Sequence, residues 1–103
     1  MYKIEFLPIA KEDIDHIIYY ISHHLKNISA SKKLRSLFMN SLDYILQFPY
    51  GSPVCQTTGI LKNEYRNYRV KNFLMFYHIN EDEKIITIVR VLYQKMDISN
   101  LLK

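Results

Sequence analysis

A change of hydrophobic period near the middle of the chain constrains its fold more than any other feature. Up to about residue 46 the apolar residues recur at helical spacing. Ala10, Ile14, Ile17, Ile18, Ile21 and Leu25 form one stripe; Leu34, Leu37, Phe38, Ser41, Leu42, Ile45 and Leu46 form a second. Phe48-Pro49-Tyr50-Gly51-Ser52-Pro53 then interrupts the pattern, holding two of the three prolines and one of the two glycines. The loop it opens is expected to run to about Lys62. Beyond it the residues become β-prone, and Tyr65–Val70, Phe73–Ile79 and Lys84–Leu92 read as strands.

The connections complete the picture. Tyr2 to Leu7 alternates as a short strand, and Pro8 ends it while suiting the first position of a helix. Glu12, Asp13 and Asp15 fall in early helical turns, where a helix dipole favours them. Asn27 to Ser31 breaks the first stripe, and Ser29 is the expected cap of the second helix. Lys71-Asn72 and Asn80-Glu81-Asp82-Glu83 are turns between consecutive strands. The expectation is one α+β domain over residues 1–103. An N-terminal strand and an antiparallel helical hairpin pack on one face of a small, mostly antiparallel sheet, which ends in a three-stranded meander.

Composition narrows the function classes. A chain of 103 residues can bury a core without metals or disulfides. Nearly half the residues are apolar, which excludes disorder. Most of the nine tyrosines and five phenylalanines are expected in the core. A single cysteine, Cys55, excludes a disulfide framework and makes a reducing cytoplasm the simplest home. No stretch is apolar enough to span a bilayer, and Met1 to Phe6 lacks a signal-peptide pattern. His16 and His23 lie two turns apart on a helix, which is no metal site, and His78 is expected as a satisfied core group. No Gly-rich phosphate loop is present, so no metal and no cofactor are expected. The net charge is +4, and the basic excess is densest at Lys62, Arg66, Arg69 and Lys71 against Glu64. Such a patch suits RNA, DNA or an acidic protein, and equally an ordinary solvated face.

Two segments carry a resemblance. Val70-Lys71-Asn72-Phe73-Leu74-Met75-Phe76-Tyr77 resembles a signature of the RelE/ParE toxin family: valine, any residue, asparagine, tyrosine, arginine or leucine, two apolar residues, tyrosine. Arg90-Val91-Leu92-Tyr93-Gln94-Lys95-Met96-Asp97 resembles its second signature, Arg-Val-Leu-His-Gly, two variable residues and aspartate. The region of Ala10, Asp13, Ile17 and Tyr20 and the Phe48-Pro49 loop are also similar. The resemblance implies a cytoplasmic toxin of a type II toxin–antitoxin operon, held inactive by a cognate antitoxin protein. Two mechanisms occur on this fold: ribosome-dependent cleavage of messenger RNA, as in RelE, and poisoning of DNA gyrase, as in ParE.

RNA cleavage needs a base for the 2′-hydroxyl, cations for the phosphorane and an acid for the leaving oxygen. RelE-like members use lysines, arginines and a late tyrosine for these roles. Carried over singly, those positions fall at Arg66, which keeps its charge, then near Tyr68, at Leu74, at Gln94 and near Asn100. A second nuclease subgroup ends in a His-Tyr pair, which the tail from Asp97 to Lys103 lacks. Tyr93 stands where much of the family has histidine, and its pKa of about 10 would need lowering by Arg90 and Lys95. Arg90 shares strand parity with Ile86, Ile88 and Leu92, and an ion pair with Glu5 or Glu64 is the expected structural role.

Three readings follow. The first is a gyrase-binding toxin, with Lys62, Arg66, Arg69, Lys71, Arg90, Tyr93 and Lys95 as contacts. The second is an atypical messenger RNA endonuclease using Arg66, Arg69, Tyr93 and Lys95. The third is an inactive homologue that survives as an antitoxin-binding partner.

Overall fold

A computed structural model of the chain describes residues 1–55 and 64–94. The element order is β1 (Lys3–Phe6), α1 (Pro8–Tyr19), a π-helical turn (Tyr20–His24), α2 (Ile28–Gln47), β2 (Arg66–Val70), β3 (Phe73–Asn80) and β4 (Ile85–Tyr93). The four strands form one sheet in the order β1-β4-β3-β2. β2, β3 and β4 make the expected antiparallel meander, while β1 joins the far edge parallel to β4, with Lys3 opposite Ile85 and Phe6 opposite Ile88. No helix of the described residues is long and apolar enough to cross a membrane.

The two predicted stripes bury themselves against one face of the sheet. Ala10 and Ile18 of α1 and Leu34, Phe38 and Ile45 of α2 pack with Met75, Tyr77, Ile86, Ile88 and Val91. Each buried branched or aromatic side chain contributes roughly 1.5–3 kcal/mol, so this face dominates stability. On the other face, Phe76, Val89 and Leu92 form a smaller buried cluster, with Cys55, Tyr65 and Leu74 against it. Burial raises the Cys55 thiol pKa, which keeps it protonated. The aromatics divide. Phe38, Phe76 and Tyr77 are buried, whereas Tyr19, Tyr20, Tyr44, Phe48, Tyr50 and Tyr93 are exposed. Tyrosine's polar hydroxyl and apolar ring suit that exposed role.

Several local expectations are corrected. Asn27, not Ser29, caps α2: its side chain accepts a hydrogen bond from the Ala30 amide at 3.0 Å. The first turn of α1 holds no acidic residue. Leu25 ends the first stripe exposed, because the helix has widened into the π turn, where its amide reaches back to the Tyr20 carbonyl. His78 is half-buried beside the Tyr65 ring, with no hydrogen bond to its own ring among the described residues. Burial lowers its pKa. With two glycines in the whole chain, lysines take the left-handed turn positions: Lys26, Lys71 and Lys84 have φ of 50°, 55° and 57°.

Strand β4 carries a bulge. Tyr77 pairs with Ile88 and Phe76 with Arg90, so Val89 is an extra residue. Ile86, Ile88 and Val91 therefore face the helices, while Val89 and Leu92 face the opposite cluster. The simple alternation that grouped Arg90 with Ile86, Ile88 and Leu92 does not hold across this bulge.

Candidate functional site

The residues singled out by charge lie at separate places. Lys62 and Lys95 fall outside the described residues. Arg66, Arg69 and Lys71 follow the outer strand β2 and its turn, and Arg90 and Tyr93 lie on β4 with β3 between. Two strand spacings of about 4.8 Å each separate these groups.

Arg66 is committed to the loop. Its guanidinium donates to the Ser52 carbonyl at 2.8 Å and to the Tyr50 carbonyl at 3.3 Å. It also contacts Glu64 at 3.2 Å and stacks over the Tyr50 ring, 5.0 Å from its centroid. With its donors and its face so engaged, Arg66 holds the Pro49–Pro53 segment against the sheet. Two further contacts help. The Tyr77 hydroxyl donates to the Pro49 carbonyl at 2.8 Å, and burial raises that hydroxyl's pKa. Tyr50 and Tyr2 both donate to Glu81 at 2.6 Å, and Lys84 pairs with the same carboxylate. The Lys84 contact, followed by the bonds from Tyr2 and Tyr50, holds the Glu81 pKa down to about 2, and the bond to Glu81 pushes that of Tyr50 up to about 12. Tyr50 and Glu81 are 31 residues apart, and no local pattern links them.

Arg90 is committed as well. Its Nε and one terminal nitrogen donate to the two oxygens of Asp13 at 2.8 and 3.0 Å. The Val91 amide donates to the same carboxylate at 3.0 Å. The two side chains are 18% and 12% exposed. The hydrogen bonds to Asp13 raise the Arg90 pKa. The structural reading of Arg90 as an ion pair therefore stands, with the partner corrected from Glu5 or Glu64 to Asp13. The geometry is understandable: β1 pairs with β4 only as far as Ile88, so the later β4 edge needs another acceptor, and α1 supplies one.

The loop so fixed forms one wall of an open groove of about 680 Å³. Tyr44, Gly51, Ser52 and Pro53 line one part, and Asn67, Tyr68, Arg69, Leu74 and Gln94 the rest. Leu74 and Gln94, where the resemblance places two cations of RelE-like nucleases, and Tyr68, near where it places a third, thus meet in this groove. Among its lining residues Arg69 is the one charged group. It is exposed, and its Nε donates to the Lys71 carbonyl at 3.0 Å. The Asn67 amide and the buried Ser52 hydroxyl carry no signal in the sequence, because neither belongs to a charged or aromatic pattern. Ser52 Oγ has no hydrogen-bond partner among the described residues.

Tyr93 faces a different groove. It packs edge-on against Phe73, and with Ile17, Tyr20, Ile21 and Leu25 it lines an apolar cleft of about 630 Å³. Arg90, spent on Asp13, is not available to activate it. Beside this cleft Tyr19 stacks on His23 and Tyr20 on His24 along the π turn. Among the described residues no group of three histidine, cysteine or acidic side chains is placed to hold a metal.

A family model described as "ParE toxin of type II toxin-antitoxin system, parDE" matches residues 4–98. No curated protein matches the chain. Among solved structures, the chromosomal ParDE toxin–antitoxin system from P. aeruginosa is similar, with a TM-score of 0.71 at 15% identity. The alignment covers 90% of this chain and 96% of that one. The archaeal RelE–RelB complex from Pyrococcus horikoshii OT3 is similar with a TM-score of 0.54 at 14% identity, covering 91% and 96%. At such identities the structural likeness concerns the fold, and the family match over nearly the whole chain carries the assignment. The protein belongs to the ParE toxin family of type II toxin–antitoxin systems.

Proposed function

We propose that this protein arrests growth by binding an essential protein target, DNA gyrase in the ParE manner, and that a cognate antitoxin neutralises it in the cytoplasm. The observation that carries this reading is the groove beside the loop. A nuclease needs several cations around the scissile phosphate to stabilise its developing charge. Here Leu74 and Gln94 stand where the resemblance places two of those cations and Tyr68 near a third, and of the lining residues Arg69 alone is charged. Arg66, the aligned position that kept its charge, is bonded to Ser52, Tyr50 and Glu64. The antitoxin partner is supported by the similar structures, a ParDE system and a RelE–RelB complex.

The test is induction of the toxin without antitoxin, with primer extension on translated transcripts. Growth arrest with intact transcripts is expected. Cleavage within translated messages would establish the ribonuclease reading instead. Normal growth would make the protein an inactive homologue.

A further inference from the structure

We infer that the trough between α2 and the β2–β3 turn is a binding site for the phosphate backbone of double-stranded DNA, held by Lys33, Arg69 and Lys71.

Charge is segregated along this chain. Residues 16–42 include Lys26, Lys32, Lys33 and Arg35 and no acidic residue; residues 65–80 include Arg66, Arg69 and Lys71 and none either. The fold brings the two runs together. Two cavities of about 280 and 220 Å³ lie along α2, and Lys71 lines both, so they form one trough. Asn40 and Arg69 line the first, Lys33 and Asn72 the second, and no carboxylate lines either. The acidic run Glu81-Asp82-Glu83 lies in the β3–β4 turn, at the opposite end of β3.

Internal demands do not account for these cations. The ion pairs among the described residues engage Arg66, Lys84 and Arg90, and none engages Lys26, Lys32, Lys33, Arg35, Arg69 or Lys71. A helix dipole favours cations at its C-terminal end, yet α2 carries Lys32, Lys33 and Arg35 in its first half and Asp43 in its second. Lys26 and Lys71 hold left-handed turns, with φ of 50° and 55°, where glycine sits without strain. The Lys71 turn is fixed from both sides. Arg69 Nε donates to the Lys71 carbonyl at 3.0 Å, and the Gln94 amide donates to the Asn72 carbonyl at 3.0 Å. The terminal nitrogens of Arg69 and the ammonium groups of Lys33 and Lys71 remain without partners among the described residues.

The lining selects the ligand. Cations and side-chain amides donate to phosphate oxygens. A single strand is held by stacking its bases on exposed rings, and the two rings that line this trough, Tyr68 and Phe73, are half-buried. A duplex carries its phosphates on the outside at regular spacing and needs no such platform. The contact is therefore with the backbone and reads no sequence. The site follows from the charge of the trough and does not depend on which target the toxin poisons.

The test titrates the full chain into a short fluorescent DNA duplex of mixed sequence and reads anisotropy across a range of salt. Affinity should fall with salt, log Kd rising linearly with log salt concentration. Lys33→Ala suits an exposed helical position and Lys71→Gly suits the left-handed turn, so both changes keep the fold. Together they should weaken binding at least about tenfold and lower the salt slope by about 2. Lys3→Ala with Lys11→Ala removes the same net charge at exposed positions elsewhere and should change affinity less than about twofold. Duplexes of different sequence should bind alike. No binding at low salt, native affinity in the trough double variant, or equal losses in the two double variants would overturn the inference. Tighter binding of a single-stranded RNA or of a glutamate-rich peptide than of the duplex would also overturn it, by giving the trough to another class of ligand.

Discussion

Removing the Asp13 carboxylate tests whether Arg90 is a structural or a functional cation. In the native protein the guanidinium makes a two-point contact with Asp13, and the Val91 amide shares the same carboxylate. Asp13→Ala leaves a largely buried positive charge and a strand amide without their acceptor. Breaking a buried ion pair on one side costs about 3–5 kcal/mol. The residual exposure of 18% and 12% admits some water, so the lower end, about 3 kcal/mol, is expected. For a domain of this size that corresponds to a fall in Tm of roughly 10–20 °C. Asp13→Asn keeps an acceptor for Val91 and should cost about half as much. Arg90→Lys loses the two-point geometry and should cost about 1–2 kcal/mol. Thermal and urea denaturation of the single and double alanine variants give the coupling energy, expected at about 1.5–3 kcal/mol. A cost below about 1 kcal/mol for Asp13→Ala, or additive single and double variants, would refute the structural role.

Other perturbations probe the remaining supports. Tyr77→Phe orphans the buried Pro49 carbonyl and should cost about 1–2 kcal/mol, read as a lower urea midpoint at unchanged slope. Asn27→Ala removes the α2 cap and should lower stability by about 1 kcal/mol, while Ser29→Ala should leave it nearly unchanged; circular dichroism melts distinguish the two. Glu81 and His78 both have depressed pKa values in the folded state, so the unfolded chain takes up their protons first. Stability should therefore fall as pH drops below about 6.5 through His78, and again from about 4.5 towards 2 through Glu81. His78→Phe should flatten the upper step and Glu81→Gln the lower one in denaturation measured across pH.

Local patterns in the sequence revealed the elements, and tertiary contacts decided what their residues do. Ile14, Ile17, Ile18 and Ile21 announce one helix, and Leu34, Phe38 and Ile45 the next, because a 3.6-residue period needs no knowledge of the rest of the chain. Lys71-Asn72 marks the hairpin in the same local way. Asn27 and Ser29 are both competent caps, and the choice depends on where the first turn of α2 starts. The bulge at Val89 leaves no compositional trace, yet it removes Arg90 from the parity that simple alternation assigned. Asp13 meets Arg90 across 77 residues and Tyr2 meets Glu81 across 79, distances that no pattern within one element spans. The candidate site suffered most from this. Arg66 and Arg69 were legible as cations in one basic stretch, but only the folded sheet shows that Arg66 is spent on the loop and Arg69 borders an open edge. Tyr68, Leu74 and Gln94 were legible as departures from the nuclease pattern; the fold adds that they meet in one groove.

A gyrase supercoiling assay with purified toxin in excess over the enzyme decides whether gyrase is the target. Inhibition of supercoiling, relieved by the cognate antitoxin, is the predicted result. Full supercoiling at saturating toxin would exclude gyrase as the target.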